Sequence, residues 1–278
     1  MAEQLTDLSR LCIHTITTRP WSLEECLANY RKAGVPAVTV WRQWLEPQGL
    51  EESARMLQDS GLRVTSLCRG GFFPALSEDG RKTALDDNRR AIAEAHAIGA
   101  PLIVLVCGAV PGMPLSEARK QIAEGIAAVL PEARAAGVKL SIEPLHPMFS
   151  DARSAVNSLT DANDMAAELD DGHVGVTVDV YHVWWDSRLE AEIRRAGRRI
   201  LSFHVCDWRT PTRDLLNDRG LMGEGCIDIR SIRSWVEQAG FKGDIEVEIF
   251  SDAWWATDQH AFLEKITACL LYTSPSPR

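Results

Sequence analysis

A single (β/α)₈ barrel is the fold class predicted for this 278-residue chain. Three observations lead there. Eight apolar, β-branched runs recur along the chain, amphipathic helical stretches separate them, and a glycine stands shortly before nearly every new run. The runs are Leu11 to His14, Ala37 to Trp41, Val64 to Cys68, Leu102 to Cys107, Leu140 to Leu145, Val174 to Val180, Ile200 to Cys206 and Ile245 to Phe250. They read as apolar nearly throughout instead of alternating, which suits parallel strands covered on both faces. Eight such units in about 250 residues close into one barrel spanning residues 1–271.

The connections carry their own signals. Gly34, Gly61, Gly99, Gly137, Gly172, Gly197 and Gly240 are placed to supply the left-handed residue that stops a helix. Ser22 with Glu25 has the spacing of a capping box, and Ser116, Thr160 and Asp228 are candidate N-caps. An open doubly wound sheet, the competing arrangement, needs a Gly-rich phosphate loop after the first strand, and Thr15 to Trp21 contains no glycine. Residues 272–278 read Tyr272-Thr-Ser-Pro-Ser-Pro-Arg278, like translated sequencing adapter, and are expected to be a non-native tail.

Composition excludes several function classes. Lys plus Arg number 30 and Asp plus Glu 39, a net charge of −9, with an isoelectric point near 5.3. Such a surface does not suit nucleic acid. No apolar run approaches the roughly 18 residues of a membrane span, and Met1 to Arg10 lacks the pattern of a secretory leader. Seven Cys without a CxxC pair fit reduced thiols in a cytoplasm. Cys68, Cys107 and Cys206 stand near strand ends, where they are read as small buried hydrophobes.

Chemistry in such a barrel is expected at the C-terminal strand ends. Glu143 closes the fifth strand, Asp179 the sixth, His204 the seventh and Glu248 the eighth, each set in apolar sequence. A buried carboxylate is costly unless paired or metal-bound. Three converging with one histidine therefore predict a divalent cation. The donor set of three oxygens and one nitrogen suits Mn²⁺, Mg²⁺ or Co²⁺, and the imidazole favours Mn²⁺.

Ile142-Glu143-Pro-Leu-His146, Val178-Asp179-Val-Tyr-His182, Phe203-His204-Val-Cys-Asp207 and Val247-Glu248-Ile-Phe together resemble the xylose isomerase-like barrels of the sugar phosphate isomerase/epimerase group. The resemblance runs nearly the whole length and extends to the larger subunit of C-glycoside deglycosidases. It implies that Glu143 and Glu248 are both metal ligands and proton-transfer bases, one on each face of an enediolate. It also implies that His182 binds substrate oxygens and that Arg209, one position short of the epimerase arginine, takes that residue's place. His146 departs from the epimerases and is similar to the deglycosidase base. The DNA-repair branch of this superfamily needs more histidines and a basic surface, and is excluded.

The expected activity is metal-dependent isomerisation or epimerisation of a sugar or keto-sugar, with His146 or Glu143 taking the proton. The alternative is a lyase that eliminates from a 3-oxo-glycoside with a small partner subunit; a homo-oligomer also stays open. His14 and Asp207, at strand ends, join the expected substrate-binding residues. Trp41, Trp184 and Trp185 are placed to stack on a sugar face, and Arg42 and Arg69 to bind hydroxyls or a carboxylate. Asp218 to Gly225, with three Gly, reads as a lid.

Overall fold

The structure, a computed structural model, describes residues 7–272. Residues 1–6 and all of the expected tail after Tyr272 lie outside the described residues. In chain order the elements are β1 Leu11–His14, α1 Leu23–Lys32, β2 Ala37–Trp41, α2 Leu50–Ser60, β3 Arg63–Gly71, α3 Glu78–Ala97, β4 Leu102–Val106, α4 Leu115–Ala135, β5 Lys139–Glu143, α5 Leu159–Leu169 and β6 Val174–Asp179. There follow α6 Val180–Val183, α7 Leu189–Ala196, β7 Ile200–Val205, β8 Asp207–Trp208, β9 Arg219–Gly220, α8 Ile229–Gln238, β10 Ile245–Val247, α9 Asp252–Trp255 and α10 Gln259–Tyr272.

Eight parallel strands close in the order β1-β10-β7-β6-β5-β4-β3-β2, while β8 and β9 form a separate antiparallel pair above the rim. All eight expected runs are strands of the barrel. The third runs on to Gly71, because Gly70 and Gly71 pair with Leu105 and Val106 of β4.

Local signals behave unevenly. Ser22 and Glu25 form the capping box, and the Asp228 side chain accepts from the Ser231 amide. Ser116 and Thr160 are not caps. Pro114, with φ −56°, leads into α4, and Ser158 caps α5 through the Asp161 amide. Gly172 is not the stop of α5 either: Asp170 takes the left-handed conformation at φ 41°, which its short polar side chain tolerates.

The strand interiors correct the expectation of apolar strands throughout. The Thr39 hydroxyl donates to Glu246 at 2.6 Å and Ser66 does so at 3.1 Å. The Ser202 hydroxyl also donates to Glu246, and Ser141 and Thr177 share a bond of 2.6 Å. The polar residues occupy alternate positions facing into the barrel, where aliphatic layers are usual. The apolar residues between them pack outward against the helices. Burial of these hydroxyls is tolerated because each is hydrogen-bonded. No described helix is long and apolar enough to cross a membrane.

Candidate metal centre

Four strands bring Glu143, Asp179, His204 and Glu248 together at the upper end of the barrel. One ligand atom from each lies within 4.8 Å of all the others, and all four residues are buried. His204 Nδ1 is 3.1 Å from Glu143 Oε1, 3.9 Å from Glu248 Oε2 and 4.0 Å from Asp179 Oδ2. Glu143 Oε1 and His204 Nδ1 have no hydrogen-bond partner. Two orphaned, converging ligand atoms with two further carboxylates fit a hard divalent ion. Burial pushes the Asp179 carboxyl up, to about 7, against the pull of Arg219.

The orientation of His204 is set from below. Ser202 Oγ lies 2.9 Å from its Nε2 and donates its own hydrogen to Glu246. The imidazole hydrogen therefore sits on Nε2, and the Nδ1 lone pair faces the three carboxylates.

His14, expected to bind substrate, is instead fully buried beneath the site. Its Nε2 is 3.3 Å from Glu246 and its Nδ1 is 3.2 Å from Glu248. Burial opposes the charged ring, but the two carboxylates overcome it and lift its pKa to about 9. Trp41 Nε1 lies 3.2 Å from the same Nδ1, a bond open only to the neutral ring.

Arg219, missed in the sequence, is the guanidinium at the centre. Its Nη1 is 2.6 Å from Glu248 Oε2 and 3.3 Å from Asp179 Oδ2, and the group lies between the rings of Tyr181 and Phe250. With His14 it holds the Glu248 carboxyl well below its ordinary range, although burial acts the other way. Arg209 does not take this role. The β8–β9 pair turns it outward to Glu224 at 2.7 Å.

A small cavity of about 20 Å³ opens onto Glu143 and Glu248, and Trp41, His182, Arg153 and Arg219 also line it. Burial holds His182 well below the usual histidine range, and its Nε2 lies 3.6 Å from Asp179. The other expected residues go elsewhere. Arg42 is taken up by Asp87 and Glu94 at 2.9 and 2.6 Å. Asp207 accepts the amides of Trp208, Gly223 and Ile227 and shapes that loop. The expected lid is therefore pinned, with Leu221 and Met222 buried. Trp184 packs 5.5 Å from Trp208, Trp185 donates to the His182 carbonyl, and neither lines the cavity.

His146 is also outside the lining. Its ring sits 5.1 Å from Trp208 and 5.7 Å from Trp185, and its Nδ1 accepts the Met148 amide. Burial lowers its pKa. The lone pair a base needs is already engaged, which removes the support that His146 lent to the lyase alternative. The thiols of Cys68, Cys107 and Cys206 are buried with pKa values pushed up by burial, so they are not nucleophiles.

Known proteins agree with this architecture. An inosose isomerase of Bacillus velezensis is 24% identical over 259 residues, covering 87% of this chain and 88% of that protein. An L-ribulose-5-phosphate 3-epimerase, UlaE, of Salmonella paratyphi C is 26% identical over 201 residues, covering 70% and 67%. The crystal structure of SMc04130 from Sinorhizobium meliloti superposes with a TM-score of 0.94 at 46% identity, covering 97% of this chain and 100% of that one. IolI with a bound zinc atom gives 0.84 at 20% identity, covering 95% and 97%. The family model described as xylose isomerase-like TIM barrel matches residues 27–266, and the chain belongs to that family.

Proposed function

We propose that this chain is a divalent-metal-dependent isomerase or epimerase of a sugar or keto-sugar. The observation that carries the reading is the buried cluster of Glu143, Asp179, His204 and Glu248, with Glu143 Oε1 and His204 Nδ1 orphaned and facing each other. The names of its relatives, an inosose isomerase and a pentulose-phosphate epimerase, support the reaction class. The same four residues would hold the ion, and their oxygen-rich donor set suits Mn²⁺ first, with Mg²⁺ or Co²⁺ as alternatives. Such an ion supplies the positive charge that takes up the negative charge developing on a substrate carbonyl oxygen.

The remaining work falls to side chains. Glu143 ends β5 and Glu248 directly follows β10, and β6 and β7 separate these two strands in the barrel wall. They therefore meet a substrate from different sides. Glu143, through the carboxylate oxygen that does not hold the ion, takes the proton from the carbon beside the carbonyl. Return of that proton by Glu143 to the adjacent carbon isomerises; delivery of a proton to the opposite face by Glu248, which takes it from the charged His14 ring 3.2 Å away, epimerises. Trp41 and Phe250 pack at 5.3 Å beside the two carboxylates and keep water from that proton.

Incubation of the Mn²⁺-loaded protein with ketoses and inososes in D₂O tests the reading. Deuterium is expected at the carbon next to the carbonyl, and Glu143→Gln should slow its entry about 1,000-fold. Failure of every such compound to exchange, with the ion shown to be bound, contradicts it.

A further inference from the structure

Two guanidinium groups beside this centre have no anion. Arg153, in the turn after β5, lines the cavity with Glu143 and Glu248. Its Nε is buried with no hydrogen-bond partner, and among the described residues its guanidinium forms no ion pair. Its contact is the ring of Phe149, 5.5 Å from Cζ. Arg69, near the end of β3, likewise has no ion-pair partner among the described residues. Its Cζ lies 4.3 Å over the ring of Phe72, facing a groove on the rim.

The two are neighbours through one glycine. The Gly108 amide donates to the Arg153 carbonyl at 3.0 Å. On the other side, a Cβ at Gly108 would lie 2.7 Å from Phe72 Cα. The turn after β3 and the loop after β5 are thus packed against the same residue, with Arg69 two residues before the end of β3 and Arg153 in the loop. Burial depresses the Arg69 pKa and Arg153 adds to the effect; burial and then Arg219 depress that of Arg153. The nearby carboxylates are already matched. Asp87 and Glu94 pair with Arg42, and Arg219 with the ion proposed above would balance Glu143, Asp179 and Glu248. Two partly desolvated like charges without a counterion are costly, and they become favourable when an anion bridges them.

We propose that Arg153 and Arg69 form an anion subsite, so that the substrate is a sugar or keto-sugar carrying a phosphate or carboxylate away from the reacting carbonyl. This rests on the isomerase or epimerase reading of the site. The planar guanidinium fork matches either anion in a bidentate manner. A neutral sugar would leave both charges unmatched.

Calorimetric titration of the Mn²⁺-loaded protein with inorganic phosphate and with acetate tests the proposal on wild type, Arg153→Gln and Arg69→Gln. The wild type is expected to bind one of these anions saturably. Arg153→Gln should weaken that binding about tenfold or more, the scale of one charge-assisted bond, and Arg69→Gln by a smaller factor. Mn²⁺ affinity, measured in phosphate-free buffer, should be the same in all three and show that the variants are folded. Tighter phosphate identifies a phosphorylated substrate, and tighter acetate a sugar acid. Equal anion affinity in the three proteins, or saturable binding in none, overturns the proposal. Neither titration involves turnover, so absence of deuterium exchange counts against the isomerase reading alone.

Discussion

Ser202 Oγ and His204 Nε2 are 2.9 Å apart inside the barrel, and the same hydroxyl donates to Glu246. This relay fixes the imidazole tautomer and aims Nδ1 at Glu143, Asp179 and Glu248. Ser202→Ala removes the relay without touching a ligand atom. Affinity for Mn²⁺ should fall about 10-fold to 100-fold, the usual cost of losing such support. An unchanged affinity by titration calorimetry would show that packing alone orients His204.

Arg219 binds two of the carboxylates that the proposed ion would also use, Asp179 and Glu248. Arg219→Gln should cost the metal-free protein about 3–5 kcal/mol, because Asp179 and Glu248 are left buried without their cation. A divalent ion then restores more stability to the variant than to the wild type. Melting curves with and without Mn²⁺ check this, and equal gains in the two proteins speak against it.

Metal affinity should depend on pH. Asp179 must lose its proton to bind, and its carboxyl is pushed up to about 7. Apparent Mn²⁺ affinity should therefore rise about tenfold per unit below pH 7 and flatten above it. A profile flat from pH 5.5 to 7 at about constant ionic strength would be inconsistent with a buried carboxylate ligand of this kind.

The metal-free protein should lose stability in alkali. The folded state favours charged His14, whose pKa rises from 6.5 to about 9. Its contribution is complete below 6.5 and is lost as pH rises through 9. The melting temperature should fall by about 5 °C across that window, a shift that His14→Asn removes. Above the transition the neutral ring is free to accept from Trp41 Nε1. An identical slope in His14→Asn would place the effect elsewhere.

The convergence of Glu143, Asp179, His204 and Glu248 was legible in the sequence because each stands at or next to the end of a barrel strand, where a buried carboxylate or imidazole has few other uses. Glu246 carried a readable signal as well: two residues before Glu248 in one extended run, it had to face the same side. Arg219 did not, since the choice between it and Arg209 depends on the β8–β9 pair and on Asp207 gathering three loop amides. His146 misled for a similar reason. Only the fold shows that the Met148 amide occupies its Nδ1. Arg153 lay in an irregular turn without periodicity, and its place beside Glu143 follows from the backbone bond to Gly108.

Metal stoichiometry tests the centre most directly. Wild type dialysed against Mn²⁺ should retain about one ion per chain by elemental analysis, while Glu143→Gln and His204→Ala, folded by circular dichroism, should each weaken retention by about 100-fold or more. Retention of the ion at wild-type affinity in both variants would contradict a centre built from Glu143, Asp179, His204 and Glu248.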